Sequence, residues 1–246
     1  MLGVDRATRM MGSCSRGTPP VSGQLSPGGV QGWCWHPVRM VWRCWLSVDE
    51  YVLAGRDVEV PRPWCPDCER PMRFRFGYER DARSGGGLGR RVWVRRAQCG
   101  GCGRSHALLP SFLFERRLDV VDDIGAVVEA VCDGRGVVEK VAKAGDVPYT
   151  TARDWLRRFW ERAAMLASGF AALAVSVGGE VGGDGLVTEP GRRALGALRL
   201  VVECLGWSSG WLWAWASLVT GGKLLGCAMD PPWTVLGGRR LMPPVP

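Results

Sequence analysis

Two Cys-x-x-Cys motifs constrain the fold of this chain more than any other feature. Cys65 and Cys68 form the first motif, Cys99 and Cys102 form the second, and 30 residues separate them. Four thiolates at this spacing can close a tetrahedral zinc site, because each motif supplies two ligands from one tight turn. A segment of this size has little apolar core of its own, so metal affinity would contribute to its folding. We predict a four-cysteine zinc ribbon over residues 40–117, with Zn²⁺ as its cofactor.

Positive charge is concentrated in the same segment. The 246-residue chain carries 32 Lys and Arg against 24 Asp and Glu, for a net charge of +8. Between positions 61 and 118 there are 13 arginines and five carboxylates, so this segment alone accounts for the net charge. Such an excess favours a polyanionic partner. The preference for Arg over Lys is typical of a GC-rich genome, and guanidinium also suits phosphate better than ammonium does.

The cysteine content and the N-terminus together indicate a reducing compartment. Ten cysteines would suit a secreted protein, but Asp5, Arg6 and Arg9 interrupt the start of the chain and no apolar signal segment is present. We therefore expect a cytoplasmic protein whose paired cysteines bind metal. Residues 1–39 are rich in Gly, Pro and Ser, which predicts disorder. Translation from Met40 is an alternative.

The segment between the two motifs is predicted to form a β-hairpin. Met72, Phe74, Phe76 and Tyr78 alternate with mostly basic residues, which indicates a strand with one apolar and one basic face. A glycine-rich loop and a second strand over 91–95 lead to the second motif. No thioredoxin-like βαβ pattern surrounds either motif, so a redox role is not expected. His106 is an alternative metal ligand, although four thiols already complete the set.

From residue 118 the apolar period becomes helical. It predicts helices over 120–131, over 137–142 and from 149 to 166, with helix continuing to 177. We assign residues 118–177 to a three-helix bundle that contains a helix-turn-helix motif. Asp146 stands where the turn usually has glycine and tolerates a left-handed conformation, whereas Gly145 occupies a position expected to be apolar core. The inner face of the last helix is predicted to comprise Ala152, Trp155, Leu156 and Phe159.

The outward face of that helix is the predicted DNA-reading surface. In helix-turn-helix proteins the start of the recognition helix meets base edges, and flanking basic residues meet phosphate. The predicted contacts on the helix are Tyr149, Thr150, Thr151, Arg153, Asp154, Arg157 and Arg158. In the ribbon, the residues predicted to contact DNA phosphates are Arg91, Arg95 and Arg96. The alternative is an ordinary three-helix bundle that does not contact DNA.

The C-terminal part is predicted to pack onto the rest of the chain. Residues 178–190 form a glycine-rich linker, and residues 191–246 form a Trp-rich helical segment with a Pro-rich tail. Residues 204–222 carry no charge and reach the length of a short membrane span. Because Ser and Gly interrupt them, we favour a buried element against 195–202 and expect no membrane association. Base stacking on the tryptophans is an alternative.

The predicted fold class is α+β: a small β-hairpin zinc ribbon, a three-helix helix-turn-helix bundle and a C-terminal helical or irregular segment. Four segments carry a family resemblance: Pro61–Cys68, Ser105–Phe112, Thr151–Phe159 and Pro232–Val235. With them the chain resembles an uncharacterised zinc-ribbon and helix-turn-helix family of GC-rich, actinobacterial-type bacteria. It is also similar to the N-terminal DNA-binding half of insertion-sequence transposases. The resemblance supports these modules and implies no established activity.

The sequence predicts no enzymatic activity. A transposase catalytic centre needs three carboxylates that converge on two metal ions. After Ala163 the chain has only five: Glu180, Asp184, Glu189, Glu203 and Asp230. We therefore expect a transposase-derived regulator or accessory factor that binds double-stranded DNA and no small-molecule substrate; no sequence pattern sets an oligomeric state. The alternatives are a zinc-scaffolded protein-interaction module and an inactive mobile-element remnant.

Overall fold

Four strands form one mixed sheet in the computed structural model, which describes residues 38–85, 88–180 and 189–226. They are β1 (Val38–Trp42), β2 (Met72–Ser84), β3 (Leu88–Cys99) and β4 (Ser105–Pro110). The order is β1-β4-β3-β2; β1 and β4 are parallel, and the other neighbours are antiparallel. The chain therefore has the predicted α+β class. Its sheet is larger than the predicted hairpin, because β4 and β1 extend it.

Seven α-helices accompany the sheet in the described ranges. They are α1 (Val48–Ala54), α2 (Val121–Cys132), α3 (Val138–Ala144), α4 (Tyr149–Trp160), α5 (Ala163–Ser176), α6 (Pro190–Cys204) and α7 (Leu212–Val219). Short 3₁₀ turns cover Gly55–Asp57 and Ser209–Trp211. Helix α1 begins at a capping box, in which the Ser47 hydroxyl accepts from the Glu50 N–H and the Glu50 carboxylate accepts from the Ser47 N–H.

A β-bulge interrupts the predicted alternation in β2. The register passes from Arg75 opposite Arg96 to Tyr78 opposite Val94, so one residue is left over on β2. Gly77 makes this possible, because a Cβ there would lie 2.5 Å from the Val94 carbonyl oxygen. The predicted apolar face is consequently not continuous: Met72 is buried, but the Phe76 side chain is 93% exposed.

The apolar residues form two cores that meet at α7. The sheet core includes Tyr51, Val92 and Leu108, and the helical core includes Ile124 and Trp155. Most of α7 packs in the helical core, whereas Leu218 packs in the sheet core. The predicted buried element in the Trp-rich segment is therefore confirmed as a helix, and it connects the helices to the sheet.

The predicted third helix is two helices. Helix α4 ends at Trp160 and α5 begins at Ala163, with Arg162 at φ −116°. The Arg162 N–H donates to the Phe159 carbonyl, which closes a tight turn between them. The prediction of one helix was wrong: residues 149–177 contain no proline, so the sequence has no such helix breaker at the turn.

The turn between α3 and α4 has the predicted left-handed residue. Asp146 has φ +50°, whereas Gly145 has φ −90° and ψ 7°, which any residue adopts. Gly145 is also exposed, so it is not the core position that the sequence predicted. Its missing Cβ would make ordinary contacts, the nearest being 3.6 Å from the Val141 carbonyl oxygen. Glycine is therefore not required at this position.

Replacing Gly145 should consequently stabilise the protein. We expect Gly145→Ala to raise the free energy of unfolding by about 0.4–1 kcal/mol, because alanine restricts the unfolded chain without straining the folded one. The matched control is Gly134→Ala, which should lower it by about 1 kcal/mol because Gly134 has φ +73°. Urea denaturation measures both changes. Destabilisation by Gly145→Ala would contradict this turn geometry.

Several sequence predictions concern residues that the structure does not describe. Residues 1–37, most of the linker and the tail from 227 to 246, which includes Pro232–Val235, lie outside the described ranges. The proposed domain boundaries accordingly stay predictions. Among the described helices, none has the length and apolar character needed to cross a membrane.

Candidate metal centre and nucleic-acid interface

The four motif cysteines converge at one end of the sheet. The Sγ atoms of Cys65 and Cys102 are 3.6 Å apart, those of Cys68 and Cys99 are 3.2 Å apart, and all four lie within 4.8 Å of one another. Sulfurs on a tetrahedron with metal–sulfur bonds of about 2.3 Å would lie about 3.8 Å apart. The thiols are therefore close to the arrangement in which they could jointly hold one metal ion.

The two motifs adopt the same turn. The Cys65 N–H donates to the Arg70 carbonyl at 2.9 Å, and the Cys99 N–H donates to the Arg104 carbonyl at 2.9 Å. The residue after each second cysteine is left-handed, with φ 55° at Glu69 and φ 72° at Gly103. Local backbone hydrogen bonds thus close the turn that carries each pair of thiols.

Backbone contacts and burial act differently on the individual thiols. The N–H of Cys102 donates to the Cys99 sulfur and lowers the pKa of Cys99 to about 6, and the Gly101 N–H adds to this effect. Cys99 is therefore poised as a thiolate, the form that binds metal. Burial raises the pKa of Cys65 to about 12. A bound divalent cation would offset the cost of ionising Cys65.

A second group of possible ligands adjoins the four thiols. His106 on β4 is fully buried, and its ring lies with the Asp67 carboxylate and the Cys65 thiol within 4.8 Å. Asp67 also forms an ion pair with Arg104 at 2.8 Å. Because Cys65 belongs to both groups and four thiolates complete a tetrahedral set, His106 adjoins the cysteine cluster without being needed to close it.

Helix α4 presents one buried and one exposed face. Its buried face contains the four predicted inner residues, Ala152, Trp155, Leu156 and Phe159. Tyr149, Thr150 and Arg153 are exposed, and Thr151 is half-buried. The Arg153 guanidinium lies 5.7 Å from the centre of the Tyr149 ring, within cation–π range. The start of α4 thus displays an aromatic, a hydroxyl and a cationic group together.

Asp154 holds the basic residues further along α4. Its carboxylate accepts from Arg157 at 2.6 Å and from Arg158 at 2.7 Å, and it lies 3.5 Å from Arg117. Burial raises the pKa of Asp154, but the hydrogen bonds and charges of Arg158 and Arg157 outweigh burial, so the pKa lies below its ordinary value. Asp154 is accordingly committed to arginines within the chain. Arg157 is also paired with Glu161 at 2.6 Å.

Two of the three predicted ribbon arginines make contacts within the sheet region. Arg91 is 2.8 Å from the Glu79 carboxylate. Arg95 donates to the Arg56 carbonyl at 2.6 Å, and its guanidinium lies 5.2 Å from the centre of the Phe74 ring. Their side chains lie on one face of β3, because alternate residues of a strand share a face.

Arg96 lies on the opposite face of β3 and directly faces Arg75 on β2. The three predicted ribbon arginines therefore do not form one surface.

Four arginines that the sequence did not single out line an open groove of about 550 Å³ beside the second motif. We name it the knuckle groove; it is lined by Arg62, Arg70, Arg73, Arg75, Gln98 and Gly101, with further backbone of the second motif. A signal for it was available, since Arg73 and Arg75 are alternate residues of the predicted basic strand face.

Comparison with known proteins gives a family match without a function. A family described as a domain of unknown function (DUF6431) matches residues 65–153. The match includes all four motif cysteines and ends at Arg153 in α4. It agrees with the predicted resemblance to an uncharacterised family. No curated protein and no solved structure matches the chain.

Proposed function

We propose that this protein binds double-stranded DNA and that zinc at the four cysteines holds its β-sheet end in shape. The observation that carries the proposal is the start of α4, where Tyr149, Thr150 and Arg153 are exposed on a helix whose other face is buried. A helix fixed in this way can enter the major groove without losing its packing. Helices α2, α3 and α4 then act as a helix-turn-helix unit, with α4 as the recognition helix.

The choice of zinc follows from the ligands. Four cysteine thiolates are soft donors, and tetrahedral sulfur sets are typical of structural zinc. Cys65, Cys68, Cys99 and Cys102 would leave no open coordination position, so the metal would have a structural role. The protein would act as a regulator or accessory factor related to transposases, without a catalytic domain.

The contacts within the chain divide the predicted DNA residues into two groups. Tyr149, Thr150 and Arg153 are assigned to base edges. Asp154 instead orients Arg157 and Arg158 through its ion pairs. Because its carboxylate compensates much of their charge, we expect these two arginines to contribute less to DNA affinity than free arginines would.

A protein-interaction role is the second candidate, and exposed apolar side chains favour it. Phe76 at the β2 bulge and Leu53 on α1 are 93% and 89% exposed. Salt dependence discriminates the two roles, because phosphate contacts release counterions and make DNA affinity fall steeply with salt. A complex that forms through these apolar side chains would depend only weakly on salt.

Arg153 provides the test of the recognition helix. We expect Arg153→Ala to weaken binding to a selected DNA site by about 1–3 kcal/mol and to relax the preference at one base pair. Arg193→Ala is the control, because it removes one exposed charge from α6. Fluorescence anisotropy on selected and scrambled duplexes measures both. Equal losses on the two duplexes would contradict base reading by Arg153.

A further inference from the structure

The knuckle groove combines positive charge with close access to the backbone. Four of its side chains are arginines: Arg62, Arg70, Arg73 and Arg75. Arg70 lies across the second motif, such that a Cβ on Gly101 would be 2.8 Å from the Arg70 Cδ. A Cβ on Gly100 would meet no atom within 4 Å, so the floor of the groove is open at Gly100, whereas the Arg70 side chain covers Gly101. The Gly101 and Gly103 N–H groups already donate to Cys99, so the guanidinium groups are the part of the groove that is suited to binding oxyanions.

The charges of the groove are not compensated within the part of the chain that the structure describes. No carboxylate there forms an ion pair with any of the four arginines. Neutral acceptors hold two of them: Arg62 donates through Nε to the Met72 carbonyl at 3.1 Å, and Arg75 donates through Nε to Gln98 at 3.0 Å. Other arginines of the same segment lie 2.8–3.0 Å from carboxylates, namely Arg83, Arg90, Arg91 and Arg104.

The sheet register adds a further positive charge beside the groove. Arg75 lies directly opposite Arg96 in the β2–β3 pair. Like charges at directly opposed positions destabilise a sheet. Binding of an anion to these residues would remove that repulsion. Arg62 and Arg75 make these contacts through Nε. Their two terminal amino groups therefore stay available to donate a pair of hydrogen bonds to a phosphate.

We propose that the knuckle groove binds phosphate groups and that in the cell these belong to the DNA backbone. The identity of the polyanion rests on the proposed function, whereas the oxyanion site rests on the groove itself. The groove would fix the sheet end on the phosphates while α4 reads bases. Phosphate contacts position a protein on the duplex without reading its sequence.

The test compares variants of the 246-residue chain loaded with zinc. The groove variant is Arg73→Gln/Arg75→Gln. The control is Arg90→Gln, which removes an arginine of β3 that is already paired with Asp49. We expect the groove variant to bind duplex DNA about tenfold more weakly at 0.1 M salt and to reduce the log–log salt slope by about 1.8, the loss of two phosphate contacts. The control should remain close to the wild-type protein. Zinc content verifies that each variant is folded.

A second arm separates the groove from the DNA function. Tripolyphosphate should shift the NMR signals of the Gly100, Gly101 and Gly103 amides in the wild-type protein and not in the groove variant. These shifts without any DNA binding would support the oxyanion site and overturn the proposed function. DNA binding with an unchanged salt slope in the groove variant would overturn the site alone. Failure to bind either DNA or tripolyphosphate would overturn both.

Discussion

Loss of the proposed zinc ion is expected to open the cysteine end of the sheet and to leave the helices folded. Cys65 and Cys99 are each 1% exposed, and both belong to the sheet core, whereas the helical core contains neither. Without a cation, four sulfurs that lie within 4.8 Å of one another have no metal ion to bind jointly. The double variant Cys65→Ser/Cys99→Ser should therefore lose bound zinc. The stability lost is about 4 kcal/mol at free zinc a thousandfold above its dissociation constant.

Elemental analysis and hydrogen exchange check this expectation. Elemental analysis should give one zinc per chain in the wild-type protein and none in the double variant. Hydrogen exchange should accelerate at the amides of the two motifs, including the 2.9 Å bonds of Cys65 and Cys99, and change little in α4. Cys204→Ser is the matched control, since Cys204 lies on α6 outside the cluster. A double variant with unchanged exchange and stability would contradict a structural metal.

Features that depend on residues close together in the sequence could be predicted from the sequence. Two Cys-x-x-Cys motifs predicted the convergence of the four thiols, because each motif closes its own turn by hydrogen bonds within six residues. The apolar period of α4 likewise predicted its buried face correctly. Asp146 was predicted to be left-handed because its position in the turn restricts φ. In each case neighbours along the chain determine the outcome.

Features that depend on distant residues could not be predicted in the same way. Strand β4 pairs in parallel with β1, which lies more than 60 residues earlier, and its buried apolar run does not alternate. Asp154 was assigned to DNA because its helical position faces outward, but Arg117 from another part of the chain also approaches its carboxylate. The knuckle groove likewise forms from residues that flank the first motif, from the second motif and from strands β2 and β3. Only the folded structure brings such groups together.

Truncation of Trp213 is expected to destabilise the helical core by about 3–5 kcal/mol. The side chain is 4% exposed, and its indole N–H donates to the Glu129 carboxylate on α2 at 2.7 Å. Its ring also lies 6.5 Å from the ring of Phe159 on α4, centre to centre. Urea denaturation of Trp213→Ala measures the loss. Leu53→Ala is the control, because an exposed side chain should change stability by less than about 0.5 kcal/mol.

The close contact between Trp213 and Gly125 makes a double-mutant cycle decisive. A Cβ on Gly125 would lie 2.1 Å from the indole ring, so Gly125→Ala should cost about 1–3 kcal/mol in the wild-type protein. In the Trp213→Ala background the clash is gone. The same substitution should then stabilise by up to about 1 kcal/mol, because alanine is the better helix former. If Gly125→Ala destabilised the protein in both backgrounds, α7 would not pack on α2 as described. The reversal would establish that the C-terminal helix supports α2 and, through Phe159, the helix proposed to read DNA.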